Sequence, residues 1–561
     1  MQQGTIYLFS FFIAFITSSK LSAQGQVVQY ELTNTYTLQD INSFLNSLNI
    51  PQGLIVPKYE VDIYRVTYIT RNASNTDTTR ATGMLAIPKN VSCPLPIASY
   101  QHGTTTLRYD VPSYGSSEGK LGAVLTSAVG YISSLPDYLG MGDSPGFHPY
   151  VHAHSQATAT IDLMRAIRQL QDTLDFNLNG QIALLGYSQG GHATMATHKY
   201  IEENLSHEFN IVISIPMSGP YDISGTQSSE LFIGGTYESP AYLPYIIMGY
   251  QAAYGNIYQD LSDVFVSPYD TMIPRLYNGN YSLGTINRRL PNNVAQMLQP
   301  AFYNDFIQNP NHPMRIALAD NDVYNWTPQA RTHIVYCQGD EQVFAQNSIH
   351  TYNTMIANGA QQTTISNHGN RTHTGCLMFA LIDAYNIMGE YVDFTGGIEV
   401  DLEIRDVIDN NNNGQVIAQA TGGIGAYTYI WNDFPNINSN IIENLSRGNY
   451  LLAVRDERNC VVYKMAIVNK IVAINAIDNS NISFKAYPNP TQDYLILENN
   501  LAIDTPYEIR VMNTLGQIIW REDKINASHF MLNTSHFKSG IYFVELIYDS
   551  RREIFKILIG D

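Results

Sequence analysis

Along residues 27 to 392, short continuous apolar runs alternate with segments whose apolar positions recur every three or four residues. The first pattern fits a strand buried on both faces, the second a helix with one covered side. In residues 161–170, Leu163, Ala166, Ile167 and Leu170 keep helical spacing, and residues 182–185 follow as a buried strand. The stretches "PIASYQHG", "YISSLPDYLG" and "THIVYCQGD" each read as a strand running into a loop. Strand and helix in alternation predict an α/β fold, a parallel sheet with crossover helices, over residues 27–394. Between "NIVISIPMSGPYD" and "THIVYCQGD" lies a stretch rich in Tyr, Pro and Asn, too long for a plain loop; it is predicted to be a helical cap at about 224–328. Tyr242, Tyr245, Tyr250 and Tyr254 share one predicted helix there, either as an apolar acyl-binding wall or as core. From residue 395 the helical period disappears, and short alternating segments cut by Asn, Gly and Pro predict two small all-β sandwich domains, 395–472 and 476–561.

The N-terminus changes this picture by adding a leader. An apolar stretch too short to span a bilayer ends in Leu21-Ser22-Ala23, the layout of a cleavable signal peptide over residues 1–23. No later window reaches transmembrane length, so no transmembrane segment is expected in the mature chain. A formal net charge of -18 repels polyanions, which argues against nucleic acid as a partner. Four cysteines are too few for a disulfide scaffold, although an exported chain can form one or two bridges.

Candidate chemistry concentrates at "ALLGYSQGGHA", residues 183–193. A buried strand, then Gly-x-Ser-x-Gly, then a helix is a sharp turn that holds its serine above the sheet edge, and the glycines let strand and helix approach. Ser188 is the candidate nucleophile, and it needs a base and an orienting carboxylate. In chain order these are Asp340, after the strand "THIVYC", and His373, before a long apolar helix; Asp320, Asp322 and His368 are the alternatives. An oxyanion needs two N–H donors, one from Gln189 and the other from Gly103 or Thr104 in "SYQHGTTT". Cys337 and Cys376 stand three residues before Asp340 and three after His373, so a bridge between them is expected if those loops meet. "DNNNNG" at 409–414 lacks the twelfth-position Glu of a calcium loop, where Ala420 stands, and reads as a turn.

Taken in order, "QHGT", "LPDYLGMGD", "GYSQGG", "GDEQV" and "HTGC" resemble the secretory lipase family of the α/β-hydrolase superfamily. The resemblance implies Ser188, Asp340 and His373 as a triad, an oxyanion loop at "QHGT", a cap, and ester hydrolysis without metal or cofactor. The cap stretch departs from that family, which leaves the acyl preference open. Residues 420–460 resemble an adhesin-type repeat of surface proteins from bacteria with type IX secretion. The segments "AYPNPTQDYLIL", "IRVMNTLGQIIW" and "LNTSHFKSGIYFVEL" resemble a type IX C-terminal sorting domain. Export through the periplasm by the type IX machinery, to the medium or the cell surface, is what that resemblance implies. The leading expectation is a secreted serine esterase or lipase acting on an ester substrate. A serine peptidase of the same fold and a non-catalytic surface adhesin are the alternatives.

Overall fold

The computed structural model describes residues 24–560 apart from 51–53, 234, 409–411, 433, 435–436, 472–483, 500–505, 514–516 and 549–550. The expected leader at 1–23 and part of the Asn-rich turn at 409–414 lie outside the described residues.

Among the described residues, nine strands form one sheet: β1 (Val27–Tyr36), β2 (Val61–Arg71), β3 (Thr78–Pro88), β4 (Leu95–Gln101), β5 (Ile132–Pro136), β6 (Leu178–Tyr187), β7 (Asn210–Met217), β8 (Arg331–Tyr336) and β9 (Thr363–Asn367). Their order across it is β1-β2-β3-β5-β4-β6-β7-β8-β9. From β5 to β9 every pair is parallel, whereas β1, β2, β3 and β5 pair antiparallel. The sheet is therefore mixed, where the sequence pattern predicts a parallel one. For the β2–β3 pair the cause is local: Asn72 Oδ1 accepts from the N–H groups of Thr76 and Asp77, which closes a tight turn between the two strands. A parallel pair needs a much longer crossover than that turn provides.

The central strands are buried on both faces, and their alternation divides the core in two. Ala183 and Leu185 of β6 face one side with Leu121, Val124 and Leu125 of helix α1 (Ser117–Thr126). Ile182 and Leu184 face the other, against Leu163, Met164, Ala166 and Ile167 of α2 (Ala153–Gln169) and Met195 and Ile201 of α3 (Gln189–Asn204). Helical spacing thus puts the predicted apolar stripe of residues 161–170 on the sheet, as hydrophobic burial favours.

Between β7 and β8 the chain leaves the sheet and forms helices with a separate hydrophobic cluster around α4 (Tyr242–Tyr254). Two short stretches precede α4, Ile223–Gln227 and Ser229–Ile233, both wound as wide π turns. After β9 comes α5 (His373–Tyr391), whose Cys376, Ala380, Leu381, Ala384 and Met388 join the first core face.

The described residues beyond 395 form strands and the turns between them, with no helix among them. Strands Glu399–Arg405, Gly414–Thr421 and Ile441–Leu445 make one small antiparallel sheet. Thr428–Trp431, Gly448–Arg455 and Val461–Val468 make another, and a core of Val416, Trp431, Leu452 and Val454 serves both. Residues 412–469 belong to the same compact unit as the large sheet, and residues 470–561 form a second unit with 408–411. A disulfide ties the first β module to the sheet domain, from Cys93 just before β4 to Cys460 in a hairpin turn. Beside it the Ser92 hydroxyl donates to the Arg458 carbonyl. The second unit has sheets of its own, Phe484–Tyr487, Tyr494–Asn499 and His529–Asn533 in one, and four further strands in the other. Leu497, Ile509, Val544 and Ile557 are among its buried residues.

Candidate active site

Gly103 and Thr104, Ser188, Asp340 and His373 follow the C-terminal ends of the parallel strands β4, β6, β8 and β9, where ligands bind in open α/β sheets. Ser188 follows β6 directly and opens α3, with φ 60° and ψ -121°. A non-glycine residue in that region is strained, by about 1–3 kcal/mol, and holds only where its surroundings fix it. The surroundings here are backbone against backbone. A Cβ on Gly186 would lie 2.4 Å from the Gly190 carbonyl oxygen, one on Gly190 1.9 Å from that of Gln101, and one on Gly191 2.4 Å from that of Met217. Three glycines surround one hydroxyl because β4, β7 and α3 all touch at this turn.

His373 is the first residue of α5, behind the capping hydroxyl of Thr372. Its Nε2 lies 2.8 Å from Ser188 Oγ, and its Nδ1 lies 2.7 Å from Asp340 Oδ2. Asp340 Oδ1 accepts from the Val343 and Gln342 N–H groups, so the carboxylate is oriented from both sides. All three residues are buried. The loops of Asp340 and His373 are joined by a Cys337–Cys376 disulfide with an S–S distance of 2.08 Å. Two further bonds hold the histidine backbone: Glu341 Oε2 accepts its N–H at 2.9 Å, and the Tyr187 hydroxyl donates to its carbonyl at 2.6 Å. Burial raises the Glu341 carboxyl, but the N–H groups that donate to it outweigh this and hold it below its ordinary value. In this arrangement the Ser188 hydroxyl can pass its proton to the His373 ring as it attacks, while the buried Asp340 carboxylate holds the tautomer.

The alternatives in the sequence are engaged elsewhere. His368 Nε2 lies 2.9 Å from Asp383, Asp320 accepts from the Tyr254 hydroxyl, and Asp322 accepts from the Ser224 N–H and hydroxyl.

The two candidates for the second oxyanion donor differ. The Gly103 N–H donates to Glu118 Oε1 at 2.7 Å, and the Gly103 carbonyl lies 2.7 Å from His102 Nδ1. Gly103 therefore has no N–H to offer. Thr104 is anchored through its hydroxyl, 2.9 Å from that of Tyr150, and its N–H has no partner among the described residues. Gln189, at the start of α3, likewise keeps an unspent N–H, as helix N-termini do. Its side chain is pinned by His148 at 2.8 Å, and burial lowers the His148 pKa to about 3, so that ring stays neutral. Glu118, Glu341 and His148 are the residues that sequence reasoning missed. Only Glu341 carried a signal, its position next to Asp340.

No His, Cys, Asp or Glu cluster able to hold a metal ion occurs among the described residues. No helix among them is long and apolar enough to cross a membrane.

Residues 121–212, which include Ser188, match the model of the secretory lipase family, and residues 485–560 match that of the secretion system C-terminal sorting domain. The rice cell wall degrading esterase LipA from Xanthomonas oryzae is 30% identical, with a TM-score of 0.59, over 66% of this chain and 98% of that one. Candida antarctica lipase A shares the fold at 18% identity and a TM-score of 0.51, over 66% and 83% of the two chains. Among curated protein sequences none matches this chain. Fold and relatives together define a carboxylic ester hydrolase of the α/β-hydrolase class. The chain belongs to the secretory lipase family, and its sorting domain makes it a secreted or cell-surface protein served by a secretion machinery.

Proposed function

We propose that this enzyme cleaves carboxylic esters by acyl transfer through Ser188, His373 and Asp340. Ser188 Oγ attacks the ester carbonyl while His373 Nε2 takes its proton. The tetrahedral oxyanion is held by the N–H groups of Gln189 and Thr104. His373 then protonates the leaving alcohol, and the acyl group stays on Ser188. Water, deprotonated by the same ring, releases the acid and restores the hydroxyl. Asp340 stays ionised and fixes the tautomer throughout. The observation that carries this reading is the unbroken chain of 2.8 Å and 2.7 Å contacts from hydroxyl to imidazole to buried carboxylate. The sheet domain with its helical insertion is the catalyst, the β module of about 395–472 is a spacer clamped to it, and residues 476–561 address the chain for type IX export.

The test is Ser188→Ala, assayed on p-nitrophenyl butyrate and on a peptide amide panel. Ester turnover should fall by about 10⁴-fold or more, with the melting profile kept. Retained turnover in the folded variant would remove Ser188 from the mechanism. Efficient, Ser188-dependent cleavage of peptide amides by the native enzyme would favour the peptidase alternative.

A further inference from the structure

Beside Ser188 lies a chamber of about 40 Å³. Its walls come from the π turns (Ile223, Gln227, Leu231), from α4 and the loop before it (Tyr237, Tyr242, Ile246), and from the acid loop (Gln342, Val343). Many of these residues are polar by type, but their polar groups are spent on one another. The Tyr237 hydroxyl donates to the Gln342 carbonyl, and that of Tyr242 donates to Gln342 Oε1. The Tyr150 hydroxyl lies against Thr104. Both amide ends of Gln227 are bonded, one to Gln342 and the other to Asn347, and Gln342 Nε2 donates to Glu341. What remains for a ligand is ring faces and aliphatic carbon.

Orientation follows from the mechanism. The leaving alcohol must take a proton from His373, so its side of the site borders that ring. The chamber is lined by Ser188 and Gln189 and not by His373. It therefore faces the acyl substituent.

Size then selects the acid. An apolar cavity of about 150 Å³ accepts a benzene ring. A space near a quarter of that admits a two- to four-carbon tail and excludes an aryl group or a long chain. We infer that this secretory lipase is a short-chain acyl esterase, specific for acetyl to butyryl esters, with Leu231 as one of the aliphatic walls of its acyl chamber. The inference rests on the proposed role of Ser188 and goes beyond it by naming the acid.

The experiment uses the full chain with p-nitrophenyl acetate, butyrate, octanoate and laurate, together with fluorophosphonate labelling read by peptide mass. For the native enzyme, kcat/KM on butyrate should exceed that on octanoate by about 10-fold or more, the discrimination a full hydrophobic pocket exerts against added methylenes. Leu231→Ala should lower that ratio by about 5-fold or more by enlarging the chamber. An optimum at octanoate or laurate overturns the inference, as does a folded Leu231→Ala enzyme with an unchanged ratio. If Leu231→Ala does not fold, the native profile alone decides. Labelling keeps the two readings apart. A labelled Ser188 with a long-chain optimum sinks only the acyl assignment, whereas an unlabelled Ser188 with no ester cleaved sinks the mechanism beneath it.

Discussion

Removing the Glu118 carboxylate tests the oxyanion geometry without touching any group that meets the substrate. Glu118 stands in the first turn of α1, and its Oε1 accepts from the Gly103 N–H at 2.7 Å and from the buried Tyr100 hydroxyl at 2.9 Å. The carboxylate and His102 together fix both backbone groups of Gly103, and this sets the peptide plane that carries the Thr104 N–H. Losing a whole oxyanion donor costs about 10²- to 10³-fold in kcat. Glu118→Ala frees the loop and leaves Thr104 in place, so that figure is an upper bound. Another bound comes from the bond itself: a hydrogen bond to a charged group contributes about 1.5–3 kcal/mol, which is about 10- to 150-fold in rate. Glu118→Ala should therefore lower kcat on an oxygen ester by about 10- to 100-fold, with KM changed by less than about 3-fold, because the lost interaction belongs to the transition state. Glu118→Gln keeps an acceptor oxygen at the same reach and should recover most of the loss. The decisive readout is a thionoester substrate, whose developing charge sits on sulfur and gains little from the same donors. The ratio of oxygen ester to thionoester rates should fall in Glu118→Ala. Equal losses on both substrates would mean general loosening of the fold. Unchanged kcat would mean that Thr104 does not depend on Glu118.

Two other expectations follow from buried groups and from the domain clamp. His152 caps α2 and is held neutral by burial, its pKa lowered to about 3. The unfolded chain binds a proton there below about pH 6.5 and the folded chain does not, so the residue removes stability as pH falls through that window, by about 1.4 kcal/mol per pH unit. His152→Asn keeps a capping side chain, and denaturant unfolding from pH 6 to pH 4 should show a shallower loss by about that slope; parallel curves would contradict the assignment. A chain truncated after residue 469 should keep ester turnover and melting temperature but fail to leave the cell. One truncated after residue 394 loses Cys460, the partner of Cys93, and should melt lower; equal melting of the two truncated chains would show that the clamp contributes nothing.

How far the sequence carries depends on whether a feature is imposed by its neighbours along the chain or by distant ones. The turn at Ser188 is imposed locally: glycines at 186, 190 and 191 are required wherever backbone carbonyls approach within van der Waals contact, and no other residue type satisfies that. Asp340 and His373 are legible because each follows a strand, and chain order limits which loops can reach Ser188. Gly103 and Thr104 are not separable in this way. The choice between them rests on Glu118, a side chain fifteen residues along the chain on a helix packed against the face of the sheet, and an acidic residue in a first helical turn reads equally well as a partner of the helix dipole. The Cys93–Cys460 bond spans 367 residues and leaves no periodic trace in either segment. The tyrosines of α4 show the same limit inside one element. Tyr242 reaches the chamber, while Tyr245 stacks on Tyr150 with ring centres 4.4 Å apart and Tyr250 donates to the Val151 carbonyl. Helical spacing puts all of them on one helix, and only the packing partner separates the ring that lines the chamber from the structural ones. With the acyl group in this chamber, as inferred, specificity lies in contacts between the insertion and the acid loop, and a change of acyl preference should arise there, at Leu231 or Tyr242, with the groups around Ser188 left as they are.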